Sequence, residues 1–248
     1  MKRDYKKMFV AFTPIIAGAV GYGVYQETAK KRRISAIRLN LTENIPKLQN
    51  VLILGDSVAR GCGSSKGGFG SILISLIEER SGRKVQLTNL GVDGLTSGGL
   101  VDIVKEKETK DAISRADLII LNIGGNDLLE LFTTGGPNKV IKEFRQTKKI
   151  FKQNLLYIKE TIRTINPDAA LIANGLYNPC EKEYTYYSVA GQLIKNWNKT
   201  YRCSNSIFVD TYSLNREGIY WADEVHPNDE GYKILADLIF KQAVNISF

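Results

Sequence analysis

The chain has 248 residues, enough for one sizeable α/β domain. Its net charge of +8 sits almost wholly in residues 1–38, where nine Lys and Arg face only Asp4 and Glu27; a nucleic-acid footprint should lie on the folded domain, and here the charge excess lies on a tail. Three cysteines without CxxC spacing and a single histidine, His226, speak against a zinc site built from Cys and His.

In chain order, Lys2, Arg3, Lys6 and Lys7 precede an apolar run from Met8 to Tyr25, and Lys30-Lys31-Arg32-Arg33 follows it. A basic stretch before an apolar one is the pattern of an export signal, with Ala17-Gly18-Ala19 as a small-residue cleavage site. The run also approaches the ~20 residues that span a bilayer. Basic residues on both flanks leave its orientation undecided. The expectation is a domain held outside the membrane by an uncleaved anchor, or secreted after cleavage. No cysteine lies near the run, so a lipid anchor is excluded. An odd cysteine count leaves at least one thiol without an intrachain partner, and a Cys180–Cys203 bridge would require export. The expected segments are an anchor or signal over 1–25, a polar tether over 26–48 and a folded domain over 49–248.

From Val51 onward, strand and helix patterns alternate. Short apolar runs at Val51–Leu54, Val85–Leu90, Leu118–Ile123, Ala169–Ala173 and Ile207–Val209 read as buried strands. Helical stretches fall near Gly68–Arg80, Leu100–Lys107, Lys139–Ile165 and Tyr184–Tyr201, and Asp229–Ala243 closes the chain as an amphipathic helix. Near-continuous apolar strands alternating with helices predict a mostly parallel sheet covered on both faces, a three-layer α/β/α sandwich. Five strands suit the flavodoxin-like order 2-1-3-4-5.

Ligands in such sheets bind beyond the carboxyl ends of the strands, and the residues found there carry chemistry. The first strand ends in Gly55-Asp56-Ser57, the second in Asn89-Leu90-Gly91-Val92-Asp93-Gly94 and the third in Gly124-Gly125-Asn126-Asp127. Asp223-Glu224-Val225-His226-Pro227-Asn228 comes near the end of the chain. Acyl transfer needs a nucleophile, a base, a group that orients the base, and donors for an oxyanion. Ser57 supplies a hydroxyl, and His226 is the one imidazole available as base. Asp223 precedes it by three residues, about one turn, within reach of Nδ1. The expected oxyanion donors are the Ser57 amide, the Gly91 amide and the Asn126 side chain.

These blocks together resemble the SGNH, or GDSL-type, hydrolase family: Gly55-Asp56-Ser57, Gly91, Gly124-Gly125-Asn126-Asp127 and Asp223-x-x-His226, then Pro227-Asn228 and Gly231-Tyr232. The resemblance covers about residues 50–243, with Val58 standing where the family name has Leu. It implies Ser57 as nucleophile, His226 as base, Asp223 as its orienter, an oxyanion hole of Ser57, Gly91 and Asn126, and ester hydrolysis without metal or cofactor. The expected substrate is a small-molecule or lipid ester, and the expected assembly a monomer that meets the membrane through its N-terminal segment and binds no nucleic acid. A carbohydrate or cell-wall O-deacetylase with the same machinery, and a catalytically silent binding module, are the alternatives.

Two other serine-rich patterns compete. Gly63-Ser64-Ser65-Lys66-Gly67 fits the G-x-S-x-G elbow, but no strand immediately precedes it. Gly61-Cys62-Gly63-Ser64-Ser65-Lys66 approaches a phosphate loop yet places Lys66 where the third glycine belongs. Phe69, Leu95, Leu128, Leu131, Phe132, Leu176 and Tyr177, with Tyr184, Tyr186 and Tyr187 nearby, are expected to wall an apolar slot for a medium-length acyl chain.

Overall fold

Apolar strands without alternation lie between two covering layers, and the first, third and fourth strands do so. The second strand, expected to be buried, is partly exposed along its length at the sheet edge. The computed structural model describes residues 45–133, 136–202, 206–214 and 220–244. The expected anchor, most of the tether and Cys203 lie outside these residues.

The elements in order are β1 (Asn50–Gly55), α1 (Ser57–Arg60), α2 (Gly68–Ser81), β2 (Gln86–Gly91), α3 (Ser97–Ile103) and α4 (Lys107–Arg115). Then come β3 (Leu118–Asn122), α5 (Gly125–Thr133), α6 (Gly136–Ile165), β4 (Ala170–Asn174), α7 (Tyr187–Asn198), β5 (Ile207–Val209) and α8 (Asp229–Val244). The five strands form one sheet in the order β2-β1-β3-β4-β5, and all four pairings are parallel.

Residues of β1 alternate between the two cores. Val51 and Ile53 join the layer of α2 and α8 with Phe69, Leu73, Leu235 and Ile239. Leu52 and Leu54 join the opposite layer with Leu100, Phe151, Leu155 and Trp197. The 3₁₀ turn at Ile45–Lys47 adds Ile45 and Leu48 to the first layer, so the last residues of the expected tether are part of the folded body.

Two features set the geometry at the carboxyl edge of the sheet. Gly55 ends β1 at φ +152°, and a Cβ there would lie 1.9 Å from the Asn122 carbonyl oxygen, so only glycine lets β1 and β3 finish side by side. The second is the position of α6. The Phe151 ring lies 2.7 Å from where a Cβ on Gly124 would be, level with the end of β3. Leu155, Ile158 and Ile162 pack in the core on one side of this level, so the 15 residues of α6 before Phe151, ~22 Å of helix at ~1.5 Å per residue, lead away past it. Phe144 and Phe151 hold this half against Trp197 of α7, with ring centroids 6.0 and 4.7 Å away. Both ends of α7 are tied to the chain leaving β4: Asn178 Nδ2 donates to the Tyr187 carbonyl at 3.3 Å, and Asn198 pairs with Leu176 N and O at 2.8 Å.

Candidate active site

The site is built from the residues that leave the strands at this edge. Past Gly55, Asp56 adopts an extended conformation and caps α1, its Oδ1 accepting from Val58 N at 3.1 Å and Ala59 N at 3.5 Å. The cap orients the first turn of α1, which presents Ser57. The Ser57 amide donates to no other group among the described residues. Asp56 is 3% exposed, and burial pushes its carboxyl up to about 6 against the hydrogen bonds from Asn122 Nδ2, Ala59 N and Val58 N and the charge of His226.

His226 reaches Ser57 across 169 residues of sequence, with Nε2 2.8 Å from Ser57 Oγ. Its Nδ1 lies 2.7 Å from Asp223 Oδ2. The Asp-x-x-His spacing works because the two oxygens of Asp223 divide their tasks. Oδ1 accepts from the backbone N–H of Val225 at 2.9 Å and of His226 at 2.8 Å, closing the turn, and Oδ2 is left for the ring. Partial burial pushes the Asp223 carboxyl up, but the Val225 amide, the His226 ring and amide, and the His226 charge together hold it below its ordinary value. With Nδ1 bound to a carboxylate, the tautomer that leaves Nε2 able to accept the serine proton is favoured.

The loop that carries the imidazole is fixed on several sides. Tyr177 OH donates to the Val225 carbonyl at 2.7 Å and packs edge-on against Trp221. Ala222 N donates to the His226 carbonyl at 2.9 Å, and Asn228 N to Tyr220 O at 3.0 Å. Asp229, at the start of α8, accepts from Ser64 Oγ at 2.5 Å and from Ser65 N and Oγ at 3.0 and 2.6 Å. The serine-rich stretch after α1 is thereby a brace against the His226 loop: Ser65 is bound to Asp229, while the imidazole faces Ser57. Tyr177 was expected as a slot wall and Asp229 as nothing more than a helix start. Both act through hydrogen bonds across the fold, which spacing along the chain does not reveal.

The three expected oxyanion donors do not all face the same way. The Gly91 amide donates to Asn89 Oδ1 at 2.9 Å, and a Cβ on Gly91 would lie 2.3 Å from Arg60 N. Gly91 is thus a point of close packing between β2 and α1, with its N–H already engaged, and the expectation that it donates to substrate is corrected on that ground. Three residues on, Gly94 has open space where its Cβ would be, and its amide donates to nothing among the described residues. It adjoins Leu95, whose carbonyl accepts one N–H of the Asn126 side chain at 2.9 Å. The second N–H of that amide remains for a ligand. The Asp93-Gly94 pair is a turn signal that sequence reasoning passed over in favour of the glycine nearest the strand. Behind these residues, Ser97 N and Oγ donate to Asp127 at 2.8 and 2.5 Å, tying the Gly94 loop to the turn that carries Asn126.

The residues expected to wall an apolar slot divide between core and surface. Phe69, Leu128 and Leu131 are core residues, at most 4% exposed. Leu95 and Leu176 pack against the core, whereas Phe132, Tyr184 and Tyr186 are exposed, as is Leu129, which follows Leu128 in sequence. A separate cavity of about 350 Å³ lies at the opposite edge of the sheet, lined by Lys47, Arg115, Asp117, Asn166 and Asp168 among others. Among the described residues, no three His, Cys, Asp or Glu are grouped as metal ligands would be.

Residues 51–239 match the GDSL-like lipase/acylhydrolase family. The chain is 26% identical over 197 residues to the spore germination lipase LipC of Bacillus licheniformis, covering 74% of this chain and 91% of that one. It is 25% identical over 203 residues to the Bacillus subtilis protein YpmR, covering 77% and 80%. Its fold is similar to that of the lipase Lip_vut3 from a goat rumen metagenome, with a TM-score of 0.70, 24% identity and coverage of 77% and 95%. It is also similar to that of Axe2, an acetylxylan esterase from Geobacillus stearothermophilus, with a TM-score of 0.55, 18% identity and coverage of 79% and 94%.

Proposed function

This chain belongs to the GDSL-like lipase/acylhydrolase family, which makes it a serine esterase, and on that premise we propose that it hydrolyses acyl esters of lipid type through an acyl-enzyme on Ser57. The observation that carries the reading is the unbroken line from Asp223 Oδ2 through the His226 ring to Ser57 Oγ, in two contacts of 2.7 and 2.8 Å. As Ser57 Oγ attacks the ester carbonyl, His226 Nε2 takes its proton, and Asp223 stabilises the imidazolium. The charge that develops on the carbonyl oxygen meets the Ser57 amide, the free N–H of Asn126 and, in place of Gly91, the Gly94 amide. His226 returns the proton to the departing alcohol; a water activated by the same nitrogen then releases the acid and restores Ser57.

The exposed Leu129 and Phe132, on the same helix as Asn126, favour an apolar acyl group over acetate. Each methylene buried there contributes ~0.8 kcal/mol, so a chain lengthened by four carbons gains on the order of 100-fold in kcat/KM where all four are buried. The measurement is kcat/KM for nitrophenyl esters of two to twelve carbons, with a maximum at medium length expected. Burial of Phe69, Leu128 and Leu131 in the core favours the second reading, a carbohydrate or cell-wall O-deacetylase, for which the same series falls steeply after acetate.

The Met8–Tyr25 run, with basic residues on both sides, supports a further proposal: the domain acts outside the membrane, tethered by this segment or released from it. Full-length chain is expected in the membrane fraction, or in the medium with a new N-terminus near Val20; recovery from the cytosolic fraction contradicts the proposal.

A further inference from the structure

The helices that stand beyond the sheet carry a surface that ester hydrolysis does not use. Lys142, Arg145, Lys149 and Lys152 are exposed on α6, and their spacing of three, four and three residues sets them along one stripe of the helix. None is paired with a carboxylate among the described residues. The stripe borders α7: the Lys148 amine donates to the Asn196 carbonyl at 2.6 Å. Lys148 is held below its ordinary pKa first by desolvation and then by the charges of Lys199 and Lys152, so three ammonium groups crowd this seam. Over residues 142–152 and 181–199, eight Lys and Arg stand against three acids. On α7, Val189 stands seven residues before Asn196 and so on the same side of the helix, 54% exposed, and just before the helix Tyr184 and Tyr186 are 54% and 47% exposed.

Like charges left together raise the energy of the folded chain unless an anionic surface meets them. Clustered exposed aromatic and aliphatic side chains call for an apolar phase beside that surface. We propose that the face formed by the first half of α6 and by α7 docks on an anionic phospholipid bilayer. The α6 stripe meets the headgroup phosphates, and Tyr184, Tyr186 and Val189 enter the boundary of the acyl region. A soluble polyanion would satisfy the charges and leave the apolar group in water; a neutral bilayer would do the reverse. Because α6 and α7 rise from the edge that holds Ser57, this contact brings the site to the lipid surface, independently of the N-terminal segment and of which ester is cleaved.

The test uses the full chain with Val189→Trp, and Tyr186→Trp as a second reporter, mixed with vesicles of brominated phosphatidylglycerol or brominated phosphatidylcholine. Bromine quenching is read against the chain without the reporter, which corrects for Trp197, Trp221 and any contact made by the N-terminal segment. The expected result is quenching of the reporter by phosphatidylglycerol vesicles and not by phosphatidylcholine. Lys142→Glu, Arg145→Glu, Lys149→Glu and Lys152→Glu together should weaken this partitioning by at least about tenfold, given the ~1 kcal/mol that each basic residue gains near an anionic surface. Hydrolysis of a water-soluble acetyl ester should be unchanged in that variant, which establishes that it is folded. No quenching at either position, equal quenching by both lipids, quenching indifferent to the charge reversal, or displacement by soluble polyphosphate at equal phosphate concentration overturns the proposal. The readout needs no turnover, so its failure is distinct from failure of the esterase reading.

Discussion

Asp56 shows how far a residue's surroundings can depart from what its neighbours in sequence suggest. In the chain it is the middle of a Gly-Asp-Ser turn; in the structure it is a buried cap with a carboxyl pushed up to about 6. Folded chains therefore keep its proton between pH ~4 and ~6, where unfolded chains have released theirs. Stability must fall as pH rises through that window, by on the order of 2–3 kcal/mol in all. Asp56→Asn keeps an acceptor for the Val58 and Ala59 amides and removes the buried charge. Its melting temperature is expected to gain on the parent's as pH goes from 4 to 7 and to run parallel above; a constant difference across the range contradicts the assignment. The same limit explains Gly91. A glycine at the end of a strand is legible in sequence, but whether its N–H points at a substrate or, as here, at Asn89 Oδ1 depends on a side chain two residues away.

At the scale of elements, β1, β3 and β4 were legible because four or five consecutive apolar residues, nearly all buried, leave little else to be. β2 and β5, at the two edges of the sheet, carry a weaker signal, β2 with Thr88 and Asn89 inside it and β5 with three residues. The short helices were not legible. α5 begins at Gly125, inside Gly124-Gly125-Asn126-Asp127, where every residue favours a turn. α4 buries only Thr109 and Ile113, too few contacts for a helical period to show in sequence. The Asp223–His226 loop is the element on which the chemistry depends, and Tyr177 secures it from the chain leaving β4 through the Val225 carbonyl. Tyr177→Phe leaves that carbonyl without its donor, at a cost of about 1–3 kcal/mol in stability. Misplacement of the imidazole should lower kcat by about 10- to 100-fold while the KM for a small ester stays put. A rise in KM at unchanged kcat would mean that Tyr177 binds substrate and does not hold the loop.

For the whole molecule, the order β2-β1-β3-β4-β5 is what lets blocks 30 to 170 residues apart meet: β1 and β3 are neighbours at the centre, and the chain after β5 returns across the same edge. The sequence carried the residue types and the alternation from which that meeting was expected. It carried no record of the braces that hold it, the Ser64 and Ser65 contacts to Asp229 or the Ser97 contacts to Asp127, since these depend on distances across the fold. The account stands on Ser57 being activated by His226. The direct measurement is covalent trapping with a fluorophosphonate followed by peptide mass analysis, on the parent, Ser57→Ala, His226→Ala and the double variant. The adduct is expected on Ser57 alone, absent in Ser57→Ala and slowed by about 10⁴-fold or more in His226→Ala, with esterase turnover in the double variant scarcely below either single. An adduct on Ser65, or undiminished labelling and turnover in Ser57→Ala, would contradict it.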